Sequence, residues 1–375
     1  MTNPSSRRTV IFAGGGTGGH LFPAEALAHE LAGRGYDVHL ATDERALRYA
    51  AKFPASQIHI INSATPNGRN PLLLASAAWS LISGYRQSRA LIHATKPGAA
   101  IGFGGYPTLP PMLAAAHLGV PVLIHDANAV MGRANRWLSA KASSIAMGFG
   151  EAASGRKVVV TGNPVRPAVL EAAKSAYHRR KPGGAFNLLV FGGSQGAQFF
   201  SQALPQAIAL LEPAQRRVLK IVQQARIEDR ARLEADYAKA GIVAETAPFF
   251  KDMAQRMAKA HFVISRAGAS SVSELCAIGR PSLLVPYPFA LDHDQAMNAK
   301  SLADSGGAQI IAQAALSPQK LAAIIAKAIA EPEALALMAG KARKCGKPGA
   351  TKRLADLAEQ AAGKLAPKRN QKNRN

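Results

Sequence analysis

An α/β fold of two doubly wound halves is predicted by three features of the 375-residue chain. Short apolar runs alternate with segments long enough for crossover helices, the pattern of a parallel sheet covered on both faces. A strand running straight into a glycine loop and then a helix occurs twice, as TVIFA-GGGTGGH from Thr9 and as FNLLVF-GGSQGA from Phe186. Between the two lies GNPVRP, Gly162 to Pro167, whose two prolines leave no room for an element and read as a hinge.

The first strand, loop and helix, the helix reaching about Ala32, are followed by Gly33-Arg34-Gly35 and the strand YDVHLAT, which completes a β-α-β unit. Further buried strands are expected at Gln57 to Ile61, Ala99 to Phe103, Pro121 to His125, Ser143 to Met147 and Lys157 to Thr161. The second half repeats the pattern through FVISRAGASS, PSLLVPYP and AQIIA, with a helix at about Ser317 to Ile329 and a last amphipathic one at about Lys352 to Lys364. The expected domains are therefore 1–161 and 168–345, joined by the hinge 162–167, with a basic solvated tail at 366–375.

Lys plus Arg outnumber Asp plus Glu by 46 to 23, a formal charge of +23, so anionic partners must be weighed: nucleic acid, membrane or phosphorylated substrates. No helix-turn-helix, zinc-finger or RNA-binding signature accompanies the surplus, so nucleic acid is not expected. Two cysteines, Cys276 and Cys345, are too few for a disulfide framework and suggest a reducing compartment. Arg7 and Arg8 precede only the short apolar run Val10 to Ala13, which argues against a signal peptide and for a cytoplasmic protein. The longest apolar stretch, Pro71 to Tyr85, falls short of the ~18–20 residues of a spanning helix.

Gly14 to Gly19 matches G-x-G-x-x-G, and Asp43 closes the next strand where a dinucleotide fold holds a ribose, so a nicotinamide enzyme is one reading. Against it, His20 follows at the helix start, and similar loops recur at Gly102 to Gly105 and Gly192 to Gly196. No P-loop motif occurs. Glycine loops before helices bind phosphates through backbone N–H groups. The loop GGSQGA adds the Ser194 hydroxyl and the Gln195 amide, and Arg166 in the hinge can supply the charge that a diphosphate needs. In SRAGASSVSE, Glu274 is placed to accept both hydroxyls of a ribose, the plain alternative being a first-turn glutamate favoured by the helix dipole. Asp292-His293-Asp294 has a D-x-D form, but a metal is not expected where glycine loops and an arginine already offer neutralisation.

Taken together, the chain resembles the UDP-N-acetylglucosamine:lipid I N-acetylglucosaminyltransferases of peptidoglycan synthesis. The matching motifs are GGTGGHLFPA at 15–24, GFGGYPTLP at 102–110, HDAN at 125–128, GNPVRP at 162–167, GGSQGA at 192–197, SRAGASSVSEL at 265–275 and DHDQAMNA at 292–299. The resemblance implies a GT-B fold: two Rossmann-like domains with a cleft between them and a last helix, about 350–365, crossing back onto the first. It implies UDP-N-acetylglucosamine (UDP-GlcNAc) as donor, lipid I as acceptor and inversion at the anomeric carbon, with no tightly bound cofactor and no required metal. Another GT-B sugar-nucleotide enzyme is the alternative.

By position, Ser194 and Arg166 would meet the donor diphosphate, Glu274 the ribose, and the Phe250 backbone the uracil, while Asn128, Ala269, Ser270, Ser271 and Gln295 would surround the GlcNAc. Gln195 belongs to the same donor set. Thr17, Gly18 and Gly19 would hold the acceptor diphosphate or complete the donor site, and Gly104, Gly105 and Tyr106 would lie on the acceptor side. His20 is the candidate general base, since an imidazole suits proton transfer near neutrality, the rival being that it only orients the acceptor. HDAN departs from a more usual H-E-Q-N, so Asp126 and Ala127 would lose reach or hydrogen bonding. Phe250 stands where an aliphatic residue is often found, a change that a backbone contact would survive.

A lipid-linked acceptor requires a membrane surface. Pro71 to Tyr85, with Trp79 and Tyr85, is bordered by Arg69, Arg86, Arg89 and Lys96, an apolar patch with a basic rim that suits an anionic bilayer. The alternative is a buried core helix with solvated flanks. The implied location is the cytoplasmic side of the inner membrane, with other cell-wall synthesis proteins as partners.

Overall fold

The computed structural model describes residues 8–16, 18–51, 53–64, 70–150, 157–193, 198–290 and 294–363. Two compact units form, Met1–Pro164 with Gly349–Asn375, and Val165–Pro348.

In the first unit, β1 (Thr9–Ala13), β2 (Asp37–Thr42), β3 (Gln57–Ile60), β4 (Ala99–Gly102), β5 (Val122–Asp126), β6 (Ser144–Met147) and β7 (Val158–Val160) form one parallel sheet in the order β3-β2-β1-β4-β5-β6-β7. The central strand β1 alternates its side chains between two cores, because successive residues of a strand face opposite sides. Val10 and Phe12 pack with Leu21, Leu27 and Leu31 of α1 (Gly18–Gly33). Ile11 and Ala13 pack with Ile92 of α2 (Pro71–Thr95) and Met112 of α3 (Leu109–His117). The short α4 (Arg133–Leu138) lies beside α3. The C-terminal helix α14 (Ala350–Ala361) adds Leu354, Ala355 and Ala358 to the α1 core. Arg34 at the end of α1 fixes it, donating to Asp356 and Glu359 at 2.7 and 2.8 Å.

α2 starts where Asn70 accepts from the Leu72 N–H and Pro71 takes the first helical position, and it stops at Lys96 in the left-handed conformation. Its N-terminal half contradicts the buried-core alternative. Leu72 is 78% and Trp79 67% exposed, with Leu73, Leu74 and Ile82 also exposed, whereas Ala77 is buried and Ile92 joins the core with α3 and the sheet. Tyr85 differs from the expected patch: its hydroxyl bonds His117 of α3 at 2.8 Å, which turns the ring inward. Arg86, Arg89 and Lys96 are exposed, and Arg69 lies outside the described residues.

In the second unit, β8 (Phe186–Phe191), β9 (Leu219–Gln224), β10 (Ala244–Ala247), β11 (Phe262–Ser265), β12 (Ser282–Leu284) and β13 (Ala308–Ile310) form a parallel sheet in the order β10-β9-β8-β11-β12-β13. Phe186, Leu188 and Val190 pack beneath α6 (Gln198–Ala209), α8 (Ile227–Lys239) and α12 (Pro318–Ala330). The remaining helices are α5 (Pro167–Ala172), α7 (Pro213–Val218), α9 (Met253–Lys259), α10 (Ala269–Ile278), α11 (Asp294–Asp304) and α13 (Pro332–Lys344). Pro167 opens α5, so the non-helical segment after Gly162 ends at Arg166, the N-cap of that helix. Both sheets thus have the Rossmann order, in which the strand order reverses at β1 and β8 and ligands bind at the strands' carboxyl ends.

Candidate active site

At the carboxyl end of β1 the chain turns through Gly14, Gly15 and Gly16 into α1. A Cβ on Gly15 would lie 2.6 Å from Asp43 Oδ1 and 2.9 Å from Pro107 Cγ, so only glycine fits there. Asp43 is buried and accepts from the Gly16 N–H at 3.0 Å and from Arg45 Nε at 2.6 Å. The carboxylate that the dinucleotide reading reserves for a ribose is therefore committed to holding the glycine loop. Gly18 and Gly19 open α1, whereas Thr17 lies outside the described residues.

His20, the third residue of α1, has Nδ1 at 3.0 Å from the Phe103 carbonyl. A carbonyl only accepts, so Nδ1 carries the proton and Nε2 is the basic nitrogen of the neutral ring. Phe103 is followed by Gly104 and Gly105, both with positive φ, at +101° and +80°. A Cβ on Gly104 would come within 3.0 Å of His20 Cε1 and Nδ1, so glycine here lets the strand end wrap the imidazole. Tyr106, half-buried, opens the next turn, and Thr108 Oγ1 donates back to the Gly104 carbonyl at 2.7 Å.

The HDAN segment corrects a sequence-based expectation. Asp126 loses no hydrogen bonding: its carboxylate accepts from the N–H groups of Asn128 (3.0 Å) and Gly132 (2.9 Å) and from Asn135 Nδ2 (2.9 Å). The short side chain suffices because the loop folds back over it, and buried Ala127 packs where a polar residue would need a partner. Asn128 is half-buried at the start of that loop. His125, one residue earlier, is fully buried against the Phe103 ring, at 5.7 Å between centroids. Burial pushes its pKa down to about 4, opposed by the Gly162 carbonyl and reinforced by the nearby His20.

In the second unit, Arg166 Nη2 donates to Glu274 Oε1 at 3.0 Å. Glu274 is buried in the second turn of α10, not the first, so the helix-dipole explanation does not account for it. Ala269, Ser270 and Ser271 form the first turn of that helix, and the Ser270 hydroxyl is buried without a hydrogen-bond partner among the described residues. Gln295, in α11, accepts through Oε1 from the N–H groups of Ala267 (3.2 Å) and Tyr287 (3.0 Å). Its NH₂ group is thereby turned away from those two amides. Phe250 is buried, with the Arg256 guanidinium 4.2 Å over its ring. Ser194 and Gln195 lie outside the described residues, as do Asp292 and His293. Asp294 Oδ1 accepts from the Gln295 N–H at 2.7 Å, and among the described residues no three metal-ligating groups converge.

Sequence reasoning missed Arg266. Its guanidinium is buried between Phe200, Phe199 and Tyr287, 5.2–5.5 Å from their centroids, and donates to the carbonyls of Val285 and Pro286 and to Gln313. Burial lowers its pKa. It also missed Asn135 and the ordering role of Asp126. The available signal was a polar residue directly ending an apolar strand, as in VLIHD and FVISR.

Two Rossmann-order units, with an anchored histidine in one and a paired arginine and glutamate in the other, define a sugar-nucleotide glycosyltransferase. The profile of the Glycosyltransferase family 28 N-terminal domain matches residues 10–147, and that of the Glycosyltransferase family 28 C-terminal domain matches residues 187–361. Relatives from Mesorhizobium japonicum (57% identical, 95% of this chain and 96% of the relative) and Sinorhizobium fredii (59%, 94% and 95%) are both named UDP-N-acetylglucosamine--N-acetylmuramyl-(pentapeptide) pyrophosphoryl-undecaprenol N-acetylglucosamine transferase. The crystal structure of Acinetobacter baumannii MurG is similar at a TM-score of 0.76 and 31% identity, over 94% of this chain and 99% of that one. The chain belongs to this MurG family of glycosyltransferases.

Proposed function

We propose that the chain transfers GlcNAc from UDP-GlcNAc to the 4-hydroxyl of the N-acetylmuramoyl unit of lipid I, with inversion, and that His20 is the base. The observation that carries the assignment of the base is the bond from His20 Nδ1 to the Phe103 carbonyl, which makes Nε2 the basic atom. In a single displacement the acceptor oxygen bonds to the anomeric carbon as the bond to UDP breaks, and the hydroxyl proton passes to Nε2. In the second unit, Arg166 meets the departing diphosphate, Glu274 the ribose, and the orphan Ser270 hydroxyl and the Gln295 NH₂ group the sugar. Ser194, Gln195 and the Phe250 backbone complete this donor set. In the first unit, Thr17, Gly18 and Gly19 hold the acceptor diphosphate or serve the donor, Asn128 serves the GlcNAc, and Gly104, Gly105 and Tyr106 serve the acceptor. No metal enters this reading, since a guanidinium and backbone N–H groups neutralise the charge.

The acceptor is lipid-linked, so we infer docking on an anionic bilayer at the cytoplasmic face of the membrane. Among the described residues no helix is long and apolar enough to cross a membrane. The exposed Leu72, Leu73, Leu74, Trp79 and Ile82 of α2, with Arg86 and Arg89, support an interfacial contact. Trp137, 64% exposed on α4 between exposed Arg133, Arg136 and Lys141, supports a second contact on the same side of the sheet. The decisive experiment is UDP release from UDP-GlcNAc with a lipid I analogue as acceptor. No transfer would overturn the reading.

A further inference from the structure

We propose that His125 is a positioning residue for this transfer, a buried imidazole that braces the turn orienting His20 and favours the charge His20 acquires. The proposal rests on the reading of His20 as the base. His125 is the fourth residue of β5 and has no exposed surface. Its ring leans on Phe103, whose carbonyl accepts from His20 Nδ1 at 3.0 Å. Its own carbonyl accepts from Asn135 Nδ2 at 3.2 Å, and the same amide group donates to Asp126 at 2.9 Å. One side chain thus touches the support of the base, and its backbone is tied to the loop that presents Asn128.

The choice of histidine calls for explanation. Neither ring nitrogen makes a hydrogen bond of normal geometry to a described residue, and the polar group within reach is the Gly162 carbonyl. An unsatisfied buried donor or acceptor costs about 1–3 kcal/mol. Phenylalanine would fill similar space after Val122, Leu123 and Ile124 without that cost. A polar group kept at such a cost beside the reacting machinery points to a role in it.

An imidazole supplies what phenylalanine lacks. With one nitrogen protonated toward the Gly162 carbonyl, the neutral ring keeps a lone pair on the other and a dipole that phenylalanine lacks, and His20 is near enough to interact with it electrostatically. Burial keeps the ring neutral, so no second cation opposes His20 when it takes the acceptor proton. Among the described residues, the nearby charged groups have partners of their own: Asp43 holds the Gly16 N–H and Arg45. Asp126 is tied by its three donors, and Arg353 of α14 gives its Nε to the Thr161 carbonyl at 2.9 Å.

The test is a pH–rate profile of UDP release for wild type, His125→Phe and His125→Gln, with UDP-GlcNAc binding measured by calorimetry as a check on the fold. We expect His125→Phe to lower kcat about tenfold, with KM for UDP-GlcNAc within twofold, and to move the acidic limb of kcat/KM to lower pH as His20 becomes less basic. His125→Gln, still polar, should recover part of the rate and of the shift. Wild-type kcat and an unmoved acidic limb in His125→Phe would overturn the proposal, and if that variant does not fold, the same result in the apolar His125→Leu would do so. Absence of transfer by the wild type would instead overturn the reading of the function.

Discussion

Arg166 and Glu274 are each other's partner at 3.0 Å, although one is assigned to the donor's diphosphate and the other to its ribose. On the proposed assignment, a nucleotide would replace that bond with two others, so the pair would compete with its own ligand. Removing the carboxylate should therefore separate the two ligands. Glu274→Ala should weaken UDP-GlcNAc binding by roughly 10–100-fold, the range for a lost hydrogen bond to a charged group. Inorganic pyrophosphate, which has no ribose, should bind as well as before or better, because Arg166 is released. Calorimetry with both ligands checks this, and parallel losses would remove Glu274 from the ribose assignment.

A second expectation concerns the loop after β5. Asp126→Ala leaves two backbone N–H groups and one side-chain amide without their acceptor, and buried orphan donors cost about 1–3 kcal/mol each. We expect a stability loss of about 2–4 kcal/mol in denaturant unfolding. Transfer should fall together with it, because the loop carries Asn128. Asp126→Glu restores the more usual residue of HDAN-type segments, but its extra methylene enters a packed site beside Gly132 and should still cost about 1 kcal/mol or more.

The turn at Gly104 gives a third. With φ at +101° and a Cβ 3.0 Å from the imidazole, Gly104→Ala both strains the backbone and pushes on His20. kcat should fall at least tenfold, with UDP-GlcNAc affinity unchanged. His20→Ala should lower turnover by ~10² or more if it is the base. A change confined to acceptor KM in His20→Ala would assign it the orienting role instead.

Most of the fold was legible because a parallel sheet writes itself as buried apolar runs: TVIFA and FNLLVF are β1 and β8 unchanged, and the run Ala99 to Phe103 became β4 one residue shorter. Helix α13 was missed, since its polar and apolar residues carry no loop motif. Candidate site residues with their own chemistry, His20, Arg166 and Glu274, were legible from motif and spacing. Asp43, Asp126 and Arg266 were not, because their function is to satisfy groups distant in sequence: Gly16 from residue 43, Gln313 from residue 266. The exposure of α2 was expected from its apolar run and basic rim, whereas the bond from Tyr85 to His117 was hidden, since it joins residues distant in sequence.

His125 gives a pH expectation of definite sign. Its folded pKa, about 4, lies below the ordinary 6.5, so the folded protein binds fewer protons than the unfolded chain between those values. The stability contributed by the neutral ring is full above pH 6.5 and is lost as pH falls toward 4, by about 3 kcal/mol at that end. Denaturant unfolding at pH 7.5, 5.5 and 4.5 should show this slope, and His125→Phe should remove its share. An identical slope in both proteins would show that other groups carry it.

The last expectation separates the two membrane contacts. Trp79 and Leu73 on α2 are exposed apolar groups on the helix that also carries exposed Arg86 and Arg89, whereas Trp137 on α4 stands among Arg133, Arg136 and Lys141. Burying an exposed tryptophan at an interface contributes on the order of 1–2 kcal/mol, and each basic residue near an anionic surface adds about 1. Sedimentation with vesicles containing phosphatidylglycerol should show weaker binding for Leu73→Ala/Trp79→Ala and, independently, for Trp137→Ala. The triple variant should lose about the sum, because the substituted side chains are exposed on two different helices. Added salt should weaken all four proteins. Vesicle binding by the triple variant equal to wild type would exclude both helices as the bilayer contact, while loss only on α2 would confine it there.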